Sequence, residues 1–376
     1  MILNRLRLPT VSKLSQLAFA RNYSRKDFAF VFDIDGVLIR GKDPIAAATP
    51  ALELLNEHRV PYILMTNGGG VSEKAKADHI AKIVGVPISP WQIVQSHTPL
   101  RTLANDRKHN RVLCIGGVGD AVRHVAKSYG FEDVVLPIDI VKAIPSISPH
   151  HMFKQDDFDK YAIDIDVNVP FRAILVFNDP RDMSTDVQIV QDLLNSQDGV
   201  LGTKRKRRRL EDPAIPIVFS NSDVYYSNEY SLPRFGQGAF RIITEELYSH
   251  INQLRPHEAM SSLLCGKPFK LQYDFAHHVL IDWREMLITN KFEQPKYPLL
   301  GTAPTASPFK NIYMVGDNPA SDIQGANDHG WESVLLRTGV YADEDLSSLE
   351  AQPTAGVFND VYDAVLEILR VNKVKI

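Results

Sequence analysis

The chain has 376 residues, 44% hydrophobic and 23% charged, with a formal net charge of −3. That length buries one large core or two of ordinary size, and the near-neutral balance excludes a general attraction to nucleic acid or anionic membrane. Cys114 and Cys265 are too few for a disulfide framework or a thiolate metal site, which points to a reducing compartment, and no apolar run is long enough to cross a bilayer.

Residues 1–26 carry Arg5, Arg7, Lys13, Arg21, Arg25 and Lys26, with leucines and serines between them and no acid before Asp27. This is the composition of a mitochondrial presequence, which gives the matrix as the expected address; without an unbroken apolar segment a secretory signal is disfavoured. Arg21-Asn22-Tyr23-Ser24 resembles a matrix-protease site, with cleavage expected between Tyr23 and Ser24. A disordered basic tail is the alternative.

From Asp27 onward, short apolar runs alternate with helical patterns, which predicts an α/β fold with a mainly parallel sheet. Four runs read as buried strands of one sheet: FAFVFD, VPYILMTN, SSLLCGKP and NIYMVGDN. Each ends in a polar or charged residue close to Gly or Pro, and ligands in open α/β sheets bind beyond the carboxyl ends of strands, so the four ends are expected to share one crevice. Between the second and third lie RVLCIGG, FRAILVFND and AIPIVFSNSD, separated by helical patterns around Asp120–Tyr129 and Thr185–Leu194. The expected division is a catalytic core of residues 27–107 and 259–376, with a second α/β domain of residues 108–258 inserted into it. Residues 143–170 lack sustained periodicity, and Phe292–Pro308 reads as a surface loop. The run from Lys204 to Arg209 reads as a solvated, mobile loop; no nucleic-acid partner is expected, because stacking aromatics do not flank it. Gly116-Gly117-Val118-Gly119 has the look of a dinucleotide loop but lacks the third glycine of that fingerprint, so a structural turn is expected.

Chemistry concentrates at the strand ends. Asp33 and Asp35 flank one isoleucine where a buried strand stops, and two carboxylates that close are costly unless a cation or a reaction uses them. Asp33-Ile34-Asp35-Gly36-Val37, Thr66-Asn67, Gly266-Lys267-Pro268 and Gly316-Asp317-Asn318 with Asp322 resemble the four ordered motifs of the haloacid dehalogenase (HAD) superfamily. The insertion between Thr66 and Lys267 resembles the class IIA arrangement, and within that class the chain is most similar to the eukaryotic mitochondrial branch related to the cat-eye-syndrome critical-region protein. The resemblance runs from Phe28 to the C-terminal helix, inserts excluded. It implies a Rossmannoid core with a C2-type α/β cap.

The resemblance also implies a Mg²⁺-dependent phosphomonoesterase acting on a small phosphate ester, with a glycerophospholipid-pathway phosphate among the candidates. Asp33 would be the nucleophile and Asp35 the general acid and base. Asp33, the Asp35 carbonyl and Asp317 would hold the metal, with Asp322 behind them; Thr66, Asn67, Gly68 and Lys267 would hold the phosphoryl group. An acid at position 35 sets phosphohydrolases apart from dehalogenases and cation-pumping ATPases. Two departures from the pattern stand out: Gly68-Gly69-Gly70 replaces side-chain donors, and Ser220-Asn221-Ser222-Asp223 lacks the proline of the class IIA signature. Asn221 and Asp223 are candidates to face the substrate, to set the cap hinge, or to close an Asx turn. His97 is expected in a satisfied surface or helix-cap role, with reach into the cleft as the alternative. A homodimer through the cap is the expected assembly, and a catalytically weak HAD-fold binding or assembly protein is the rival reading.

Overall fold

The computed structural model describes residues 26–105, 110–206, 211–226, 230–295, 297–341, 349 and 351–376. The segment read as a presequence lies outside the described residues except for Lys26, as do Arg207, Arg208 and Arg209 of the basic run. In chain order the strands are β1 (Phe28–Phe32), β2 (Ile39–Arg40), β3 (Asp43–Pro44), β4 (Tyr62–Thr66), β5 (Ile93–Gln95), β6 (Arg111–Ile115), β7 (Asp133–Val135), β8 (Ala173–Val176), β9 (Ile217–Phe219), β10 (Tyr225–Tyr226), β11 (Arg234–Phe235), β12 (Leu263–Leu264), β13 (Asn311–Gly316), β14 (Glu332–Leu336) and β15 (Val357–Phe358).

Two parallel sheets result. The first has the order β15-β14-β13-β1-β4-β5 and the second β12-β9-β8-β6-β7, with β2-β3 and β10-β11 as small antiparallel pairs. β1 is apolar throughout because both its faces are covered. Phe28, Phe30 and Phe32 pack with helices Ala48–Glu57 and Val361–Val371, while Ala29 and Val31 pack with helix Lys270–Thr289. The second sheet follows the same rule. Leu113 and Ile115 face helices Met183–Leu194 and Gln237–Asn252, and Val112 and Cys114 face helix Ala121–Tyr129.

The order of strands opens a crevice in each sheet. From β1 the chain moves to β4 on one side, and from β13 to β14 on the other, so the connections diverge above the β1–β13 pair. In the second sheet β6 leads to β7 and β8 to β9, which opens the same kind of gap above β6 and β8. Such divergence points are where open α/β sheets leave room for ligands.

The structure corrects two expectations. SSLLCGKP is not a strand of the first sheet: Leu263–Leu264 pairs in parallel with Val218–Phe219 at the edge of the second. The chain must return from the second sheet here, and it adds a short edge strand on the way. The basic run is also less free than its charge implies. Arg205 donates to the Tyr248 hydroxyl at 2.6 Å, to Asn252 Oδ1 at 2.8 Å and to the Asp212 carbonyl at 3.0 Å, whereas Lys204 and Lys206 are exposed. Among the described residues, no helix is long and apolar enough to cross a membrane.

Candidate active site

The crevice above β1 and β13 gathers four charged residues from three distant stretches. Asp33 follows β1, Asp317 follows β13, Asp322 lies one turn further on, and Lys267 comes from the segment after β12. All four are buried. Lys267 Nζ donates to Asp33 Oδ1 at 2.6 Å and to Asp322 Oδ1 at 2.7 Å. Asp322 Oδ2 accepts the Asn318 amide at 3.1 Å, so both its oxygens are engaged. Asp317 Oδ2 accepts the Val340 amide at 2.6 Å. Asp33 Oδ2 and Asp317 Oδ1 have no hydrogen bond among the described residues.

One ammonium therefore serves three carboxylates. Burial raises the carboxyl of Asp322 to about 6, against the pull of Lys267, and repulsion from Asp33 adds to the rise. Asp33 is raised by burial, opposed by Lys267 and reinforced by Asp317. Asp317 is raised by burial and by Asp322. Burial alone would lower the Lys267 ammonium, but Asp322 and Asp33 hold it above the usual lysine range. The deficit of positive charge is a test of fit for a metal. One oxygen from each of Asp33, Asp317 and Asp322 lies within 4.8 Å of the others, and hard carboxylate oxygens with a deficit of this sign suit Mg²⁺ or Ca²⁺.

Glycines make the packing around Asp317 attainable. Gly36 has φ +83°, and a Cβ there would lie 2.4 Å from Asp317 Oδ2; one on Gly339 would lie 1.8 Å from it. Asp35, by contrast, is exposed on the loop that leaves β1. The turn is closed by the amides of Leu38 and Ile39, which donate to the Ile34 carbonyl at 2.9 and 3.1 Å.

Thr66, Asn67 and Gly68 end β4 beside this cluster. Thr66 is buried, and its Oγ1 accepts the Gly68 amide at 3.0 Å. Asn67 faces the return segment rather than the open crevice. Its Oδ1 accepts the Lys267 amide at 2.7 Å, and its Nδ2 donates to the Lys267 carbonyl at 3.0 Å and to Asp223 Oδ2 at 3.1 Å. One side chain thus holds the backbone of the lysine and ties it to the second sheet. Asn221 and Asp223 form the Asx turn, with Asn221 Oδ1 accepting the Asp223 amide at 2.8 Å, and both also touch Asn67. The turn and the hinge contact are therefore one device.

Gly69 and Gly70 are occupied by close packing. A Cβ on Gly69 would meet His97 at 2.6 Å, and one on Gly70, where φ is +89°, would meet Asn178 at 2.2 Å. His97 is not at the surface. It is fully buried, and its Nδ1 lies 2.9 Å from the Tyr129 hydroxyl, which donates to Glu73 Oε1 at 2.5 Å. Burial lowers the His97 imidazole to about 4, so the ring is neutral. Sequence reasoning missed Glu73, Tyr129, Asn178 and the Thr338-Gly339-Val340 loop. The signal for the last was a glycine following β14 at the level of Asp317; the others have no local pattern, because their partners come from the opposite sheet.

Residues 30–132 match the family model of haloacid dehalogenase-like hydrolases, and residues 264–364 match the HAD-hydrolase-like model. A mitochondrial hydrolase of Saccharomyces cerevisiae is 49% identical over 349 residues, covering 92% of this chain and 96% of the yeast protein. This chain belongs to the haloacid dehalogenase-like hydrolases. A Schizosaccharomyces pombe protein described as a fusion of CMP-forming cardiolipin synthase with a mitochondrial hydrolase is 39% identical over 328 residues, and the match spans 87% of this chain but 51% of the fusion. Among solved structures, a p-nitrophenyl phosphatase from Archaeoglobus fulgidus aligns with a TM-score of 0.55 and 17% identity over 91% of this chain and 99% of its own. A glycerol phosphate phosphatase from Mycobacterium tuberculosis, in complex with magnesium, aligns at 0.53 and 17% identity over 91% and 78%. These structures share the HAD fold, with its cap domain.

Proposed function

We propose that this HAD hydrolase is a Mg²⁺-dependent phosphomonoesterase acting on a small phosphorylated metabolite through an aspartyl-phosphate. The observation that carries the reading is the buried cluster of Asp33, Asp317, Asp322 and Lys267, with more negative than positive charge and, among the described residues, two carboxylate oxygens without a hydrogen bond. In this reading the first sheet is the catalytic core and the second the cap. Asp33, Asp317 and the Asp35 carbonyl would hold Mg²⁺, which when bound neutralises phosphate oxygens.

The chain's own groups then divide the work. Asp33 Oδ2 attacks phosphorus while the bond to the ester oxygen breaks, and Asp35 gives its proton to the departing alcohol. Asp35 next takes a proton from water as that water attacks phosphorus, which releases phosphate and restores the Asp33 carboxylate. Exposure suits Asp35 to this exchange, since it can meet both the alcohol and the water. Lys267 holds Asp33 in position and offsets charge building on the phosphoryl oxygens, while Asp322 keeps the ammonium aimed. The Thr66 hydroxyl, held by the Gly68 amide that donates to its oxygen, and the Asn67 amide cradle the phosphoryl group.

The roofed crevice favours small esters such as polyol, glycerol or sugar phosphates and pyridoxal phosphate. The glycerol phosphate phosphatase among the neighbours and the cardiolipin synthase fused to the fission-yeast relative favour a glycerophospholipid-pathway ester. A panel of such esters, assayed with and without Mg²⁺ on the wild type and on Asp33→Asn, tests the reading. Metal-dependent phosphate release that disappears in the variant is the expected result; no release from any ester would favour the binding or assembly protein instead.

A mitochondrial matrix address follows in the same reading from the basic, acid-free start of the chain and from the relatives named mitochondrial hydrolases. Import of a tagged chain, with the mature start mapped by mass spectrometry, is expected to place cleavage after Tyr23. Pairing of two copies through the cap is supported by Ile243, Leu247 and Ile251, an exposed apolar stripe on helix Gln237–Asn252. Light scattering should read a dimer that Leu247→Glu converts to a monomer.

A further inference from the structure

The divergence point of the second sheet holds a cavity of about 280 Å³ that the phosphatase reading does not use. It lies above β6 and β8, between the Gly116–Gly119 loop and the start of helix Met183–Leu194. Every residue lining it belongs to the stretch from Cys114 to Asp186. The glycines are explained by packing rather than by a phosphate. A Cβ on Gly116 would meet the Asn178 backbone at 2.0 Å, one on Gly117 would meet Val122 at 3.0 Å, and one on Gly119 would meet the Tyr161 ring at 2.8 Å.

The side chains around it have a distinct character. Leu136, Ile138, Phe153 and Tyr161 make most of the wall apolar, and three of the four charged groups, Asp157, Asp182 and Asp186, are acids. The fourth is Arg181, which is exposed. Asp182 and Asp157 already accept hydrogen bonds, from Thr185 and Met152 in one case and from the Lys154 amide in the other. Asp186 is different. It is 5% exposed, and its carboxyl has no hydrogen bond or ion pair among the described residues. Burial pushes that carboxyl up to about 8, with the Asp182 carboxylate adding to the rise. A buried acid without a partner is a standing cost, and an apolar wall facing it would accept the remainder of a molecule that supplies the missing charge.

We propose that this cavity is a second ligand site, for a small aromatic or aliphatic amine whose ammonium pairs with Asp186 and whose apolar body lies against Phe153 and Tyr161. The negative balance of the wall rejects anions, which separates this site from one for phosphate esters. Aromatic rings beside an ammonium add attraction to that of the carboxylate. The site has a physical route to the crevice of the first sheet. The Gly117 amide donates to the Asp179 carbonyl at 3.1 Å, and Asn178 Nδ2 donates to the Gly69 carbonyl at 3.3 Å. An amine that orders the 116–119 loop therefore acts one residue away from the loop that follows Thr66.

The test uses phenethylamine as the probe and 2-phenylethanol as its uncharged counterpart, titrated calorimetrically into the full chain with Mg²⁺ present. The expected result is saturable binding of the amine, at least about tenfold weaker binding of the alcohol, and loss of that preference in Asp186→Asn. Asp33→Asn should bind the amine as the wild type does, because its altered group lies in the other sheet's crevice. Ile138→Phe, which fills the cavity without touching the acid, should weaken both probes. Equal binding of the two probes, unchanged amine binding in a folded Asp186→Asn, loss of binding in Asp33→Asn, or no saturable binding at millimolar probe would each overturn the proposal.

Discussion

Both sheets bury charge, but they balance it differently. In the second sheet Arg123 meets Asp139 through two parallel contacts of 3.0 Å and donates also to the carbonyls of Val134 and Tyr161, while Asp139 takes the amides of Leu136 and Ile163. Charge is matched one to one, and backbone groups take further bonds of both partners, although Arg123 Nε has no hydrogen bond among the described residues. In the first sheet a single lysine stands among three acids, with two carboxylate oxygens left over. A balanced pair organises a core, whereas an imbalance this deep costs stability and persists where a ligand completes it.

The strongest way to break that comparison is Asp33→Asn. It should lower Mg²⁺-dependent phosphate release by more than about a thousandfold while circular dichroism stays that of the wild type. Comparable turnover in the variant would make the imbalance irrelevant to chemistry. Lys267→Ala comes next. Removing the cation that pairs with Asp33 and Asp322 should cost about 3–5 kcal/mol in urea unfolding measured without metal, with added Mg²⁺ restoring part of it. A loss as small as that of an exposed ion pair would show that the three acids do not repel.

Asp186→Asn sharpens the comparison from the cap side. The unfolded chain loses this proton near the ordinary carboxyl value of about 3.9, whereas the folded chain holds it to about 8. Between those values the unfolded state binds fewer protons, so wild-type stability falls as pH rises through the window and levels off above it. The asparagine variant lacks this slope and should lead by on the order of a few kcal/mol at pH 8, with the two proteins converging near pH 4. Urea midpoints measured across that range read the difference directly. The smallest effect is expected of Tyr129→Phe, which removes the donor between neutral His97 and Glu73 at the junction of the sheets. About 1–3 kcal/mol of stability should be lost, with the unfolding transition broadened if the sheets come apart separately.

Much of this was legible in the sequence, for reasons particular residues make plain. Phe28–Phe32 and Tyr62–Thr66 announce themselves because strands covered on both faces need every position apolar, and the acids after β1 and β13 stand out against those runs. Lys267 was legible as a residue but not by its place. Leu263 and Leu264 read as a buried strand of the first sheet, yet Leu263 is 45% exposed at the edge of the second. A run that short cannot reveal which sheet it joins. Asn67 was legible for its backbone but not for its side chain. The expectation concerned its backbone amide, whereas its side chain is taken by Lys267 and Asp223, residues about 150 to 200 positions away along the chain. Asp186 left no trace at all, since a single acid in a helical pattern looks like any solvent-facing residue until the cavity beside it is seen.

The position of Lys267 has a consequence for timing. Its segment leaves the edge of one sheet after β12, yet Asn67 at the end of β4 in the other grips both its amide and its carbonyl, and its ammonium reaches Asp33 and Asp322 there. A shift of either sheet against the other is therefore transmitted to one amino group and the carboxylates it holds, so the seam and the charge cluster keep the same clock.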